Sequence, residues 1–439
     1  MSPDASDSLD FEAIEAAVRR QAMQLAADAV ARRLNRDRSD CSGPHRSCPC
    51  GREARYAGRL PKTFQSVVGP FTLERAYYYC DACGQGQFPR DRALGLEQGS
   101  LSPGVLRMAG AAAALVSFAE ASTLLDELAG VAVSAKHVER ATEALGDAIS
   151  AAERGHEAFA RESPAAPTMY LGMDGTAVPV RKEAVAGRAG KQPDGSARTR
   201  EVKLVTVWTA ESTHPRTGRP QRDEGSVSYS GAIESAASRD TDPQPSAFAQ
   251  RVWREAVRRG FPRATRRVVL GDGAAWIWNL CREHFPGAIQ IVDLYHAKQH
   301  LWAVARQLHP GDETRREAWA EAQCAALEDG RLDELLATLR SAAGCQEALK
   351  CAEYIQGNRD RMRYAAFRAA GLCVGSGVLE AGCKSTVGTR LKRPGMHWTV
   401  QGANAIISLR CCVLSGRYED YWTYRSAPTE PAVSNVSEN

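Results

Sequence analysis

The sequence predicts an α/β protein in which a large core of alternating strands and helices follows two small modules. Three observations carry this. From 169 to 296, hydrophobic runs of strand character alternate with amphipathic helical segments. Between Cys41 and Gly99, paired cysteines bracket a β-rich stretch, FTLERAYYYC. Between 100 and 161 the apolar spacing is helical.

At 439 residues the chain is long enough for roughly three domains of about 150 residues each. Its 44% hydrophobic and 25% charged residues exclude a fibrous or wholly disordered protein. The longest apolar run, around Ala109–Ala119, spans about eleven residues where a membrane helix needs about 20. The N-terminus, MSPDASDSLDFEAIE, is acidic where a secretory signal would be basic, so the expectation is a soluble, intracellular chain with no membrane partner. Net charge is only +4, but its distribution is uneven. Arg251, Arg254, Arg258, Arg259, Arg263, Arg266 and Arg267 face one acid, Glu255. From Ala381 to Arg410 the basic residues are Lys384, Arg390, Lys392, Arg393 and Arg410, with no acid. Such stripes suit a phosphate backbone. Of the 13 cysteines, the five from Cys41 to Cys83 have metal-like spacing and the rest are scattered, which is not a disulfide framework.

Taken in order, residues 1–40 hold one amphipathic helix over 9–38, with Leu9, Ile14, Val18, Met23, Leu25, Val30 and Leu34 at helical spacing. Residues 41–99 form a zinc-ribbon-like module. Cys48-Pro-Cys50 and Cys80-Asp-Ala-Cys83 are two knuckles whose thiolates can close a tetrahedral Zn²⁺ site. The first knuckle is one residue short of the usual spacing, which leaves Cys41 or His45 as alternative ligands. Residues 100–162 have a helix-turn-helix outline: Pro103 in a first turn, helices over 106–120 and 121–128, the break GVAVS, and Ser134 capping a helix toward Ile149. In that outline Phe118–Leu128 is the first helix and Ser134–Leu145 the reader. Lys136, His137, Glu139 and Arg140 then lie toward a DNA groove. The Pro-containing linker SPAAPT (163–168) leads into the core, 168–425. Strands are expected over 169–180, 201–211, 266–273 and 288–296, a polar stretch and a helix over 246–261 between them, helices alone over 297–370, and a last structured piece over 373–425. The tail 426–439 reads as disordered, and no internal repeat is present.

Three acids fall where an α/β core presents chemistry. Asp174 is on the first strand, Asp272 closes a later strand, and Glu380 lies in the apolar, small-residue context GSGVLEAG, where an unpaired carboxylate is costly unless a cation meets it. Carboxylates are hard oxygen ligands that suit Mg²⁺, and two such ions can activate a hydroxyl and stabilise a leaving oxygen at a phosphodiester. The loop GRAGKQPDG lacks the spacing and the terminal Ser/Thr of a P-loop, which excludes that route to nucleotide hydrolysis.

The stretches MDGTAVPV, GRAGKQPDGSARTREVKLVTVWT, DEGSVSYSGAIESA, VVLGDGAAWIWNL, HFPGAIQIVDLYHAKQHLW and SGVLEAGCKSTVGTRLKRPGMHWT resemble the ISKra-type insertion-sequence transposases of bacteria and, more distantly, the Mutator-like group. The resemblance runs from about Arg46 to Arg417. It implies an RNase H-like catalytic core with a helical insertion (297–370) and a DDE triad that maps to Asp174, Asp272 and Glu380, with Mg²⁺ or Mn²⁺ as cofactor. Asp293-Leu-Tyr-His296 matches the D/C-x-x-H motif of the Mutator-like group. Asp293 is a rival to Asp272 for the second ligand position, and His296 is either a DNA or metal-ligand contact or a structural histidine. Lys384, Arg390, Lys392 and Arg393 would neutralise phosphates, with Trp398 stacking on an unpaired base. The implied partners are double-stranded DNA (terminal inverted repeats and target) and at least a second copy of the chain, in the nucleoid-associated cytoplasm of a bacterium.

Overall fold

The computed structural model describes residues 10–97, 99–155, 166–190, 192–237, 245–342, 344–375 and 377–426. Leu9, the start of the linker and the expected tail from 427 onward lie outside these, while Ser426, expected in the tail, is the last residue of a helix. Contacts divide the chain into two compact units, Met1–Leu145 and Gly146–Asn439. Among the described residues no helix is long and apolar enough to cross a membrane.

In the first unit, helix α1 (Phe11–Arg36) begins where the Asp10 side chain accepts a hydrogen bond from the Ala13 amide. Strands β1 (His45–Ser47), β2 (Glu53–Ser66), β3 (Gly69–Cys80) and β4 (Gln85–Gln87) form an antiparallel sheet in sequence order. The long β2–β3 hairpin closes through Ser66 and Gly69, whose φ of 110° only glycine adopts readily. Phe64, Phe71 and Leu73 of this hairpin pack with Leu96 against Val30 and Leu34 of α1. The amphipathic reading of α1 therefore holds for its last turns, at Val30 and Leu34. Ile14, Val18 and Leu25, expected on the buried face, are exposed. After the short α2 (Pro89–Ala93) come α3 (Pro103–Leu115), α4 (Phe118–Ala129) and α5 (Ala135–Arg154), whose part from Gly146 onward belongs to the second unit. The break between the first two is at Val116–Ser117, earlier than expected, because Ser117 and Glu120 form a reciprocal capping box that starts α4 there.

In the second unit, β5 (Thr168–Pro179), β6 (Thr199–Thr209), the small pair β7 (Ser212–Thr213) and β8 (Pro220–Gln221), and β9 (Ser228–Ala232) precede α6 (Ala247–Arg258). Then β10 (Arg266–Gly271), α7 (Ala275–His284) and β11 (Ile289–Val292) complete a five-stranded mixed sheet of order β11-β10-β5-β6-β9. Strands β5, β10 and β11 run parallel, and β6 runs antiparallel to both β5 and β9. Five helices follow, α8 (Leu294–Leu308), α9 (Glu313–Glu328), α10 (Leu332–Ser341), α11 (Gln346–Gly357) and α12 (Tyr364–Ala369). The chain returns through α13 (Gly377–Cys383), a π-helical turn (Lys384–Gly388), α14 (Thr389–Leu391), α15 (Val400–Leu414) and α16 (Tyr418–Ser426). One apolar cluster joins the sheet (Leu171, Val205, Leu270) to α6 (Phe248), α8 (Leu301) and the helical segment (Leu335, Ile355).

Three expectations are corrected. Strand β9 falls in the stretch read as polar. The strand expected over 288–296 ends at Val292, because Asp293 caps α8 through its side chain. The Arg251–Arg267 cluster is largely internal wiring. Arg251 pairs with Glu234 at 2.7 Å, Arg258 pairs with Glu255 and Glu153, and Arg259, Arg266 and Arg267 donate to the carbonyls of Ser226, Ala370 and Pro286. These arginines terminate buried or curved backbone and are not a phosphate-facing stripe.

Helices α5 and α15 touch at Gly146, where an added Cβ would lie 2.0 Å from the carbonyl oxygen of Ala405. Backbone cannot yield as a side chain does, so Gly146→Ala should lower stability by about 1–3 kcal/mol or more. Denaturant unfolding reads this directly, and an unchanged midpoint would contradict the contact.

Candidate active site

The sheet's register brings the acids together. Gly172 of β5 pairs with Leu270 of β10, so Asp174 and Asp272 each lie two residues beyond the same pair. Gly271 pairs with Val292 of β11, so Asp272 and Asp293 each follow the next pair across. Asp174 is mid-strand and not at a strand end, at the point where β5 passes from fully buried (Thr168–Met173) to half-buried. Glu380 arrives from α13, which lies directly on β5: a Cβ on Gly172 would sit 2.0 Å from Leu379. Only glycine there lets α13 approach so closely.

Asp174, Asp272, Asp293, Glu380, His296 and Gln299 line one cavity of about 230 Å³, together with Tyr295 and the small and apolar groups around Leu379. Both candidates for the second acid are thus present. Each of the three aspartates has one oxygen held by backbone: Asp174 accepts from the Gly175 amide at 2.7 Å, Asp272 from Ala274 at 2.8 Å, and Asp293 from His296 at 2.9 Å. Among the described lining residues there is no Lys or Arg. Burial raises the Asp174 carboxyl above its usual range and the nearby Asp272 adds to this, although the Cys383 thiol and the Gly175 amide oppose it. Asp293 is buried, Asp174 and Asp272 are half-buried, and Glu380 is exposed and not enclosed as its apolar sequence context suggested; such a set of hard oxygen donors without a Lys or Arg could take a divalent metal ion. The acids do not converge as tightly as a closed metal site, which leaves room for further oxygen ligands from a substrate.

Sequence reasoning missed Tyr354. It comes from α11, in the helical segment, and its hydroxyl donates to the Asp272 carbonyl at 2.7 Å. Its ring packs on Gly273 (φ 101°), where a Cβ would lie 2.5 Å from it. The His300 ring stands 4.4 Å from that of Tyr354 and 5.0 Å from His296. The helical segment therefore grips the Asp272 turn. A tyrosine on an amphipathic helix carries no sequence signal for this.

Beyond Glu380 two expected DNA contacts are overturned. Arg390 is fully buried, with its guanidinium 5.2 Å from the Trp398 ring. Trp398 is itself buried and donates from Nε1 to the Leu391 carbonyl at 3.0 Å. Both are core groups and neither meets phosphate or base. Arg410 is likewise internal: it donates to the carbonyls of Ser385 and Thr386, oxygens that the π-helical turn leaves without regular α-helical partners. Lys384 and Lys392 are exposed and Arg393 is half-exposed. In the first unit Lys136 and Arg140 are exposed, and Lys136 pairs with Glu139 at 2.8 Å.

The cysteine knuckles also assemble. The donor atoms of Cys48, Cys50, Cys80 and Cys83 all lie within 4.8 Å of one another, the one such group among the described residues. Cys48 and Cys83 sulfurs are 3.6 Å apart and those of Cys50 and Cys80 3.7 Å. A tetrahedron with about 2.3 Å Zn–S bonds has edges of about 3.8 Å, so the four thiols fit such an ion. The short Cys-Pro-Cys spacing works because Gly51 (φ 80°) turns the chain tightly, donating to the Cys48 carbonyl at 2.9 Å. Cys41 and His45 are outside the group; the Cys41 sulfur instead receives the Tyr78 hydroxyl. The amide of Cys83 holds the Cys80 thiol down to about 7, toward the thiolate that a metal requires.

The raised Asp174 group gives a stability prediction with a definite sign. Its folded form favours the proton, so its contribution is full below the unfolded value near 3.8 and is lost as pH rises through the higher folded value. At pH 7 without divalent cations the charge is a cost, and Asp174→Asn should melt higher than wild type. The gap should close toward acid pH and also when Mg²⁺ is added to wild type. A variant that melts lower at pH 7 would contradict the electrostatic assignment.

No family model matches the chain, and no curated protein matches it. Among solved structures it is similar to a chain of a Drosophila P element transposase strand transfer complex, at 10% identity and a TM-score of 0.25, over 75% of this chain and 82% of that one. A likeness at this level carries no argument about fold or activity.

Proposed function

We propose that this chain is a DDE-type DNA transposase of a bacterial insertion sequence, which binds terminal inverted repeats, cleaves strands and joins them to target DNA. The observation that carries the reading is the single cavity lined by Asp174, Asp272, Asp293 and Glu380, acids that stand far apart in the sequence. The sheet supports an RNase H-like core: numbered within the core, its strands have the order 3-2-1-4-5 with the second antiparallel to the first. The resemblance noted above adds the transposase class.

In this reading Asp174, Asp272 and Glu380 hold Mg²⁺ or Mn²⁺, with Asp293 beside them. When bound, the ions supply charge neutralisation at the phosphodiester and make hydroxyl groups better nucleophiles. The chain's own residues fix where those oxygens stand, through the Gly175, Ala274 and His296 amides, and Tyr354 holds the Asp272 backbone. Cys48, Cys50, Cys80 and Cys83 hold a structural Zn²⁺, which stiffens the small β-sheet module. Lys136 and Arg140 suit the helix-turn-helix reading, and Lys384, Lys392 and Arg393 suit phosphate contacts near the catalytic acids. Joining needs two element ends, hence at least a dimer.

The test is cleavage and joining of duplex DNA carrying the gene's flanking sequence, with Mg²⁺ or Mn²⁺. Asp174→Asn, Asp272→Asn and Glu380→Gln should each reduce product by at least about 100-fold while DNA binding survives. Cleavage without joining would make the protein a nuclease, and binding without metal-dependent chemistry a catalytically inert relative. If Asp293→Asn abolishes activity and Asp272→Asn does not, the second acid is Asp293. Tyr354→Phe should raise the metal concentration for half-maximal cleavage by about tenfold with unchanged DNA affinity. Purified protein should carry about one zinc per chain, as one four-thiolate site requires. Folded protein without zinc would remove that part of the reading.

A further inference from the structure

A second cavity, of about 480 Å³, adjoins the acid cavity, and Tyr295 lines both. Its other walls are the β7–β8 pair with Arg219, the start of β10 with Arg266, the end of α12 with Arg368, and the 371–375 loop. The charges of the two cavities are opposite in kind. The first carries four carboxylates, and the second has three arginines against Glu211. We propose that this second cavity receives one unpaired nucleotide of the DNA strand whose phosphodiester lies at the acids. The proposal rests on the DNA-processing reading above and names the form of DNA that the site takes.

Tyr295 is the stacking element. As the second residue of α8 it stands between Asp293 and His296, and it is 60% exposed despite its size. One side of its ring is fixed by Gly375, where a Cβ would sit 2.5 Å from the ring. A rigidly backed aromatic ring with open surface at the mouth of a catalytic cavity is a platform for a base. A base still paired within a duplex cannot enter a pocket of this size, so the occupant must be unpaired.

The remaining walls are built to stay in position. Arg266 donates to Thr168 Oγ1 at 2.9 Å and to the Ala370 carbonyl at 2.8 Å, and Arg368 pairs with Glu328 at 2.6 Å. The 371–375 loop is held by Tyr170, whose hydroxyl accepts from the Cys373 amide at 3.1 Å, and by the Cys373 thiol on the Pro220 carbonyl. Arg219 is exposed on the opposite rim. The exposed Arg219 suits a phosphate beside a nucleotide inserted against Tyr295, whereas Arg266 and Arg368 are held by their own partners as part of the wall.

The test is binding without added Mg²⁺ or Mn²⁺ and without a chelator, so that the zinc module stays loaded and no chemistry is required. The probes are two fluorescein-labelled duplexes carrying the gene's flanking sequence, one fully paired and one with a single unpaired thymidine at the element boundary. Wild type should prefer the second by about tenfold, because it is spared the cost of unpairing. Tyr295→Ala should lose the preference and Tyr295→Trp keep it, with thermal melting checking that both fold. Arg219→Ala should weaken binding of the unpaired probe and reduce its salt dependence. Equal affinity of wild type for the two probes, or a preference that survives Tyr295→Ala, overturns the proposal. If the preference is present but no metal-dependent cleavage occurs, the catalytic reading fails and the nucleotide site stands. Normal cleavage without the preference is the reverse. No DNA binding at all overturns both.

Discussion

The second unit is organised around a cost: four carboxylates share one partly buried cavity with no Lys or Arg among the described residues of its wall. Like charges in a low-dielectric setting repel, and Asp174, Asp272 and Asp293, which are buried or half-buried, lose hydration, while Glu380 stays exposed. Left mobile, such side chains would turn toward water. The chain prevents this with local geometry. Asp174, Asp272 and Asp293 each give one oxygen to an amide within three residues of their own backbone. The strands' register then sets these turns side by side, so the order of the carboxylates is a property of the sheet and not of flexible loops.

Two further contacts hold the frame. The absence of a side chain at Gly172 lets α13 rest on β5, and this brings Glu380 to the cavity. On the opposite side Tyr354 reaches from α11 to the Asp272 carbonyl. The helices over 294–369 are thus more than an interruption between the last strand and Glu380, because their interior packs in one cluster with the sheet and Tyr354 touches the Asp272 turn. The π-helical turn after Glu380 has its own support in Arg410, which accounts for a buried arginine within the basic run.

Much of this was legible in the sequence, for identifiable reasons. Strands β5, β6, β10 and β11 are buried and rich in β-branched and large apolar residues, so their runs read as strands. The acids stood out because they interrupt such runs. Cys-x-Cys and Cys-x-x-Cys signalled a metal group because thiol spacing is local. Strand β9, SYSGA, was not legible: every residue is buried, yet Ser, Gly and Ala carry no hydrophobic pattern, and only its pairing with β6 and contact with Glu255 make it a strand. Arg390 and Trp398 misled because composition cannot tell an arginine that faces phosphate from one stacked on an indole inside the core. Tyr354 was invisible because its meaning depends on a contact 82 residues away in sequence.

The buried acids of the second unit fall into two kinds, those neutralised by arginine and those that are not. Burial would raise the Glu153 carboxyl, but Arg417 and Arg258 outweigh it and hold the group below its usual value. Glu255 is fully buried, paired with Arg258 and receiving the Ser228 hydroxyl at 2.6 Å. Together with Arg417 these side chains form an internally neutral cluster that joins α5, α6 and the turn before α16. Asp174 is also substantially buried, but its nearest charged neighbours include another acid, and its group shifts upward. The protein thus has arginines to neutralise buried carboxylates and uses them where the role is structural. At the acid cavity that neutralisation is withheld. A fold gains no stability by doing so, and the upward shift of Asp174 is the mark of a buried carboxylate that no arginine of its own cavity neutralises.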